Sequence, residues 1–243
     1  MRSVAVIINA RLSSTRLPQK LVKPLGDTCL IRLALEKLYQ VNVPHRYLAT
    51  RDDAILEIYK PFADRIELLP RTPESVAPSA DKPDFRVVFS HYNLIPDDYV
   101  LAMNPCFPFV RPETIESAAK FFVEHPECRT MTSVTRSNNV FFDDSGKPIN
   151  LLHADNASTR WNKYIYEMAH VFHIFDRKQL MQTGSIWDYT PENPRLYEVD
   201  PAECFDVDDP PDFDLCERLY RTGYKIVGRV PQPSYSTASG ARD

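Results

Sequence analysis

The feature that most constrains the fold of this chain is the apolar run Val4–Ile8, which a polar loop and then a helical pattern follow. A short run rich in Val and Ile has the composition of a buried strand. From about residue 28 to 39, apolar residues recur with the spacing of an amphipathic helix. Strand and helix patterns of this kind alternate along the chain with short connections. The sequence therefore predicts an α/β fold, with a mostly parallel sheet and helices on both of its faces.

The predicted elements fill 243 residues, a length that one large α/β domain accommodates. We expect a single domain over residues 1–243, with an inserted excursion at about 137–165. The predicted strands are 4–9, 46–50, 65–69, 99–103 and 130–135. The predicted helices are 28–39, 52–59, 83–94, one that opens at Pro112 and one that runs to about Tyr220. Between 140 and 152 the alternation stops, and a turn rich in Asp, Ser and Gly predicts a β-hairpin.

Composition excludes several classes of protein. A hydrophobic content of 43% with 26% charged residues is typical of a globular chain. A net charge of −4 argues against a nucleic-acid partner, for which a basic domain is expected. No apolar run approaches the roughly 18 residues that a membrane span needs, and the N-terminus lacks the layout of a signal peptide. The five cysteines are odd in number and are not spaced as a zinc site, so we expect reduced thiols and a cytoplasmic protein.

The loop after the first strand concentrates positive charge. It carries Arg11, Arg16 and Lys20 at the carboxyl end of a strand, where open α/β sheets bind their ligands. Such a loop suits a polyanion, and a phosphate chain above all. There is no glycine before Gly26, so neither the Walker pattern nor the dinucleotide fingerprint applies. A solvated loop with scattered charge is the alternative.

A second polar cluster comes late in the chain, at residues 205–213. If this segment is a strand, alternation places Asp206 and Asp208 on one side and buries Val207 on the other. Two neighbouring carboxylates repel unless a cation holds them, and Mg²⁺ is commonly bound by one or two carboxylates together with substrate phosphates. Asp209 or Asp212 then suits the start of a helix. An acidic helix start that binds no metal is the alternative.

These two motifs carry a family resemblance. Ile7-Ile-Asn-Ala-Arg11 followed by Ser-Ser-Thr-Arg-Leu-Pro-Gln-Lys20 resembles the opening of the sugar-acid cytidylyltransferases, which include the CMP-sialic acid synthetases, the CMP-Kdo synthetases and related spore-coat polysaccharide proteins. The resemblance implies a Rossmann-like nucleotidyltransferase sheet, CTP as the nucleotide, and catalytic roles for Arg11 and Lys20. The late segment resembles the family's Asp-Ile-Asp-x-x-x-Asp signature, which implies Asp206 and Asp208 as metal ligands and Asp212 as a structural cap.

The resemblance also implies the remaining binding residues. Asn104 and Arg160 would contact the sugar acid. The nucleotide would be bound by Arg11, Leu12, Ser14, Arg16, Lys20, Arg71 and Ala80. Cys106 departs from the Kdo branch, which has a metal-binding aspartate at this place. That departure leaves the metal to Asp206 and Asp208 and favours a sialate-like architecture, although the first loop is closer to the Kdo branch.

The excursion at 137–165 corresponds to the part of relatives that reaches a second subunit, so the resemblance implies a homodimer. Composition alone supports an excursion with exposed aromatic side chains, among them Phe141, Phe142 and Trp161. A structural hairpin that binds no partner is the alternative.

The expected reaction transfers a cytidylyl group from CTP to a 2-keto-3-deoxy sugar acid of the sialic-acid type. The products are a CMP-sugar and pyrophosphate, and the expected cofactor is Mg²⁺. Two other functions stay open. A nucleotide-sugar-dependent glycosyltransferase also holds Mg²⁺ with an Asp-x-Asp pair, although usually on a mid-chain strand. A non-catalytic relative would keep the fold as a binding partner, and the departures at Asn104 and Cys106 keep this alternative open.

Overall fold

The computed structural model describes residues 2–77, 83–152, 158–190 and 193–224. They form one seven-stranded sheet with the strand order β3-β2-β1-β4-β6-β5-β7. The strands are β1 Val4–Asn9, β2 Arg46–Thr50, β3 Glu67–Pro70, β4 Tyr99–Met103, β5 Met131–Ser137, β6 Ile165–Asp176 and β7 Arg195–Glu198. The α-helices are α1 Leu30–Gln40, α2 Asp53–Tyr59, α3 Pro73–Val76, α4 Phe85–Val88, α5 Pro112–Glu124, α6 Arg177–Thr183 and α7 Pro210–Arg221.

The sheet is mostly parallel, as the sequence predicts. Strand β1 lies parallel to β2 and to β4, β2 is parallel to β3, and β5 is parallel to β7. Strand β6 is the exception, because it runs antiparallel to both β4 and β5. Parallel neighbours need a long crossover connection that is usually a helix. The excursion connects β5 to β6, and its described part contains no α-helix. Without a helical crossover, β6 runs antiparallel to β5.

Two hydrophobic cores cover the two faces of the sheet. In β1, Val4, Val6 and Ile8 pack into the core that contains the buried side of α1, whereas Ala5 and Ile7 pack into a second core with Tyr92 and Phe175. This alternation follows from the two-residue period of a strand. Since both faces of β1 are covered, its sequence is continuously apolar, which is why the run was recognisable as a buried strand.

Two predicted segments differ in detail from the structure. The helix predicted over 83–94 is two short pieces, α4 and the 3₁₀ turn Ser90–Leu94, which are separated at Phe89. The second piece ends because Ile95 precedes a proline and takes an extended conformation. The predicted loop after β3 contains the one-turn helix α3, which begins where the Thr72 side chain accepts a hydrogen bond from the backbone of Ser75.

The excursion forms the predicted hairpin turn without adding a strand to the sheet. Backbone hydrogen bonds of 2.9 Å join Asp143 to Lys147 and Ile149 to Phe141, and Gly146 takes a φ of +79° in the turn between them. Several of its large apolar side chains are exposed. They are Phe142, Ile149, Leu152, Trp161 and Tyr164.

No disulfide joins any of the five cysteines, all of which lie within the described ranges. Among the described residues, no helix is both long enough and apolar enough to cross a membrane.

Candidate active site

A cavity of about 570 Å³ opens at the carboxyl ends of β1 and β4, on the edge of the sheet where the sequence places the ligand. Most of its wall comes from the loop after β1, and the rest comes from the ends of the two strands. The lining residues are Asn9, Arg11, Ser13, Ser14, Thr15, Arg16, Lys20, Leu21, Asn104, Pro105 and Cys106.

The loop after β1 is anchored by its apolar residues. Leu17 and Leu21 are buried in the core, and this directs the polar residues between them and β1 toward the cavity. The Leu12 amide donates to Asp52 Oδ2 at 3.0 Å, so Leu12 stabilises the loop through its backbone. The Ser14 hydroxyl accepts a 3.4 Å hydrogen bond from the Leu17 amide. The loop therefore has a defined conformation that presents cations and hydroxyls on one side.

Lys20 connects this loop to the late acidic segment. Its ammonium group donates to Asp208 Oδ1 at 2.9 Å and to the Val207 carbonyl at 2.8 Å, and Arg16 Nη2 lies 2.8 Å from Asp208 Oδ2. Burial lowers the pKa of Lys20, but the nearby Cys106 and Asp208 outweigh it, so the pKa lies above its usual value. Burial likewise opposes ionisation of Asp208, yet Lys20 and Arg16 bring the pKa of this carboxyl below its usual value.

The pKa of Asp206 is shifted in the opposite direction to that of Asp208. Burial and then the neighbouring Asp208 carboxylate raise the pKa of Asp206 to about 6, although Lys20 and Arg16 act against this. Its Oδ1 atom is buried and accepts no hydrogen bond from any described residue. A buried, unpaired carboxylate oxygen beside a second carboxylate is a favourable place for a divalent cation. The donor set therefore fits Mg²⁺ ligated by Asp206 and Asp208, with its other positions open to substrate and water. Within the described ranges, no cluster of three or more His, Cys, Asp or Glu side chains suits a metal ion.

The segment that carries these carboxylates is not a strand, in contrast to the prediction. Residues 204–208 have no regular secondary structure, and the segment is held against the site by a 3.0 Å hydrogen bond from the Val207 amide to the Cys106 carbonyl. Val207 is fully buried, as predicted. The polar and apolar pattern therefore predicted the burial of Val207 between two partly buried aspartates, although the segment is not a strand.

Helix α7 begins directly after this segment with a capping box. Asp209 is the N-cap and accepts from the Asp212 amide, while the Asp212 carboxylate accepts from the amides of Asp208 and Asp209. The cap is therefore Asp209, and Asp212 completes it from the first turn rather than being the cap itself. These bonds fix the backbone of Asp208, so the start of the helix positions the carboxylate that pairs with Lys20.

Asn104 and Cys106 line the cavity at the end of β4. The Asn104 side chain makes two hydrogen bonds to the backbone. Its Oδ1 accepts from the Cys106 amide at 3.0 Å, and its Nδ2 donates to the His170 carbonyl at 3.3 Å. Burial raises the pKa of the Cys106 thiol, with Lys20 acting in the opposite direction. A thiol with a raised pKa is a poor nucleophile at neutral pH, so Cys106 is a wall residue next to Lys20.

Of the predicted binding residues that the structure describes, Leu12, Arg71, Arg160, Asp206 and Asp208 are not among those that line this cavity. The Arg71 guanidinium is buried against the backbone, where it donates to the carbonyls of Ser75 and Val88. Arg160 is exposed in the excursion, with its guanidinium 5.4 Å from the ring centre of Trp161. Ala80 lies outside the described residues.

Sequence reasoning missed Asn9, which ends β1 and lines the cavity directly before the cationic loop. Its carboxamide contacts the buried Tyr92 and His91. The available signal was a polar residue at the end of an otherwise apolar strand, at the sheet edge where ligands bind.

Fold and cavity together define an α/β protein with a cavity at the carboxyl edge of its sheet, where a cationic loop suited to phosphates contacts the Asp208 carboxylate. The cytidylyltransferase family model matches residues 5–227, which is nearly the whole chain. The chain therefore belongs to the cytidylyltransferase family, and the resemblance seen in its first loop is confirmed.

Two curated relatives of this chain are enzymes of the same name. The 3-deoxy-manno-octulosonate cytidylyltransferase of Rickettsia felis is 30% identical over 118 residues, which cover 47% of this chain and 45% of the relative. The enzyme of the same name from Rickettsia prowazekii is 24% identical over 148 residues, which cover 59% of this chain and 56% of the relative. The chain thus matches about half the length of these curated relatives.

Solved structures match over more of the chain. A CMP:2-keto-3-deoxy-manno-octonic acid synthetase complexed with CTP has a TM-score of 0.63 at 15% identity, with 91% of this chain and 99% of that chain covered. The 4-diphosphocytidyl-2C-methyl-D-erythritol synthase of Anaerococcus prevotii has a TM-score of 0.60 at 14% identity, with 90% and 96% covered. At these identities the likeness shows the fold alone.

Proposed function

We propose that this protein transfers the cytidylyl group of CTP to a 2-keto-3-deoxy sugar acid of the octulosonate type, which gives a CMP-sugar and pyrophosphate. Family membership supports the class of reaction, and the names of the Rickettsia relatives support the acceptor. The sialic-acid type of acceptor expected from Cys106 has no support among the relatives described above. We therefore place the octulosonate first and keep the sialic acids as competitors in the test.

The observation that carries this proposal is the contact of Asp208 with Lys20 and Arg16, two cations that line the cavity. Both cations come from the loop after β1, and the carboxylate comes from the segment before α7. Phosphates can exchange with Asp208 as partners of the two cations, because Arg and Lys bind carboxylates and phosphates by the same charged hydrogen bonds. A polyphosphate bound there lies next to Asp206 and Asp208, where a divalent cation can contact both.

In the proposed reaction a hydroxyl oxygen of the sugar acid attacks the α-phosphorus of CTP. A new P–O bond forms, the bond to the bridging oxygen breaks, and pyrophosphate leaves with the electron pair. Negative charge grows on the phosphoryl oxygens and on the leaving group, so positioning and charge stabilisation are the main contributions of the protein. We assign this stabilisation to Arg11 and Lys20. One such cation about 4 Å from an oxygen contributes on the order of 4 kcal/mol at an effective dielectric near 20.

Asp206 and Asp208 would hold the magnesium ion. Bound there, Mg²⁺ would neutralise triphosphate charge and make the attacking hydroxyl more acidic. A readout that does not depend on turnover is thermal unfolding. We expect added Mg²⁺ with CTP to raise the unfolding temperature of the wild type more than that of Asp206→Asn, because a ligand that binds only the native state stabilises it. Equal shifts in the two proteins would remove Asp206 from the metal site.

The decisive experiment measures pyrophosphate release with each of the four nucleoside triphosphates, in the presence of Mg²⁺, against octulosonate and sialic acids. We expect release with CTP and an eight-carbon 2-keto-3-deoxy acid. Release with a nine-carbon acid alone would restore the sialate-type acceptor. Binding of CTP without release from any acceptor would favour a non-catalytic relative, and release with another nucleotide alone would contradict the proposal.

We also propose that the protein assembles as a homodimer through the excursion between β5 and β6. The exposed side chains of Phe142, Ile149 and Trp161 form apolar surface on a small part of the chain. Surface of this kind marks an interaction site more often than a scattered exposed residue does. Sedimentation equilibrium would test this, and a monomer at micromolar concentration would contradict it.

A further inference from the structure

The cavity wall contains the carboxamide of Asn9, and two buried residues determine its orientation. Asn9 Nδ2 donates to the Tyr92 hydroxyl at 2.7 Å, and Asn9 Oδ1 lies 2.8 Å from His91 Nε2. A carboxamide oxygen can only accept, so His91 Nε2 carries the proton and donates it. Both partners are buried, with 0% of Tyr92 and 3% of His91 exposed. The two contacts engage both ends of the carboxamide and therefore hold it in one orientation.

His91 is held in the neutral form that this arrangement uses. Burial, reinforced by the Arg71 guanidinium, lowers the pKa of His91 to about 3. Its Nδ1 atom is buried and unpartnered among the residues that the structure describes. The ring therefore donates only to Asn9. Burying a histidine that makes only one hydrogen bond has a free-energy cost, because its other ring nitrogen stays unsatisfied. That cost points to a function for the Asn9 carboxamide.

Asn9 lines the cavity and retains bonding capacity. One N–H group remains after the bond to Tyr92, and the oxygen has a second lone pair after the bond to His91. Neighbouring Asn104 also lines the cavity, because β1 and β4 are paired with Ile8 opposite Met103. The cavity thus has a cationic wall from the loop after β1 and a neutral amide wall from the strand ends.

These two walls suit different chemistry. Phosphate oxygens only accept hydrogen bonds, so they belong against the cationic wall. A group that presents one donor and one acceptor at the same atom matches the remaining valences of Asn9, and a sugar hydroxyl is such a group. Both substrates of the proposed reaction carry sugar hydroxyls, one set on the ribose of the nucleotide and another on the acceptor.

We propose that Asn9 is a binding residue for a sugar hydroxyl, and that Tyr92 and His91 are positioning residues that orient its carboxamide. The assignment rests on the proposed function for the identity of the ligands. It requires only that a sugar bind against the wall formed by Asn9 and Asn104, and not that turnover occur.

The test is calorimetric binding to the wild type and to Asn9→Ala. The titrants are CTP, 2′-deoxy-CTP, 3′-deoxy-CTP, the octulosonate acceptor and inorganic triphosphate. Loss of one net hydrogen bond predicts about 5- to 10-fold weaker binding of one hydroxyl-bearing ligand. If the ribose is the source, CTP weakens while one of the deoxynucleotides binds equally to both proteins. If the acceptor is the source, the acceptor alone weakens. Triphosphate, which has no hydroxyl, should be unaffected.

Two variants separate binding from structure. Tyr92→Phe keeps the ring and removes the acceptor of the Asn9 N–H, so we expect the same ligand to weaken about 2- to 5-fold. Asn42→Ala removes an exposed asparagine and should change no titration. The proposal is overturned if Asn9→Ala leaves every ligand unchanged, or if it weakens triphosphate as much as CTP. Absence of pyrophosphate release from the wild type would refute the proposed reaction and would leave these binding comparisons interpretable.

Discussion

Lys20 donates a 2.9 Å hydrogen bond to Asp208, although 188 positions of sequence separate the two residues. The same ammonium group donates to the Val207 carbonyl at 2.8 Å. Only 12% of the Lys20 side chain is exposed, so solvent screens this ion pair less than a surface pair. The contact joins the first loop of the chain to the segment directly before α7, and Lys20 itself lines the cavity. The two predicted motifs are therefore a single site.

Replacement of Lys20 by alanine tests its catalytic assignment. We expect Lys20→Ala to lower turnover at least about 100-fold, since one well-placed cation is worth several kcal/mol to the developing charge. The fold should persist, because Arg16 still pairs with Asp208. Steady-state rates of pyrophosphate release and circular dichroism measure the two effects.

The matched control for this variant is Lys120→Ala, which removes an exposed lysine from α5. It should leave the rate unchanged. Turnover of Lys20→Ala within a few-fold of the wild type would remove Lys20 from the mechanism.

The raised pKa of Asp206 predicts a specific dependence of stability on pH. Its pKa is about 6 in the folded state, against an ordinary value of 3.8. Native protein therefore binds this proton more tightly than the unfolded chain, and the contribution of Asp206 to the free energy of unfolding falls as pH rises from about 4 to about 6. Two pKa units correspond to about 3 kcal/mol, which is an upper limit for a partly exposed group.

Comparison with Asp206→Asn isolates this contribution. At pH 8 we expect the variant to be more stable than the wild type by about 1–3 kcal/mol, and the difference should shrink toward pH 4. Urea unfolding at four or five pH values measures it. The exposed Asp144→Asn is the control and should show no such trend. A difference that is constant with pH would contradict the raised pKa.

Glu203 orders the loop that leads from the site to α5. It is fully buried, and its carboxylate accepts from the Arg111 Nε and backbone N–H groups, at 2.7 and 3.0 Å, and from the Thr114 hydroxyl at 2.9 Å. Removal of the Glu203 carboxylate would break all of these bonds, including that to the guanidinium of Arg111, and only 20% of the Arg111 side chain is exposed. We expect Glu203→Ala to lower the free energy of unfolding by about 3–5 kcal/mol, as measured by denaturant unfolding.

An exposed ion pair provides the comparison for Glu203. Glu57 pairs with Lys60, and 67% of each side chain is accessible. Glu57→Ala should cost less than about 1 kcal/mol. Similar losses in the two variants would show that Arg111 does not depend on Glu203.

Asn150 holds the excursion together. This buried residue accepts from the Phe141 amide at 2.9 Å and donates to the carbonyls of Asn139 and Lys163, at 2.7 and 3.0 Å. Alanine would remove all three of these side-chain bonds from the excursion. We expect Asn150→Ala to loosen the excursion and, if the excursion forms the dimer, to weaken association at least about 10-fold, whereas affinity for CTP stays within two-fold.

Sedimentation velocity and CTP titration separate these two effects. Asn139→Ala keeps the backbone carbonyl that Asn150 uses and is the matched control. If Asn150→Ala dimerises as well as the wild type, the excursion is not the interface. Weaker CTP binding without a change of association would indicate that the excursion contributes to the cavity instead.

The first loop and the late acidic segment could be predicted from the sequence, because the residues of each lie close together in the chain. Arg11, Arg16 and Lys20 fall within ten positions, and an apolar strand before them places the loop at the ligand edge of the sheet. The alternation of Asp206, Val207 and Asp208 was equally local, and it predicted the burial of Val207 although the segment lacks a strand partner. The direction of a strand relative to its neighbours in the sheet could not be predicted in this way. Nothing in the apolar pattern of β6 distinguishes an antiparallel neighbour from a parallel one.

By itself, the sequence determined the α/β class, the cationic loop and the carboxylate pair, because these depend on side-chain period and on residues close together in the chain. Tertiary structure decided which carboxylate pairs with Lys20, which oxygen of Asp206 is buried and unpaired, and how Asn9 is oriented by His91 and Tyr92. Each of these depends on contacts between segments far apart in sequence. Burial and charge at such contacts are set by the packed fold, which no local pattern specifies.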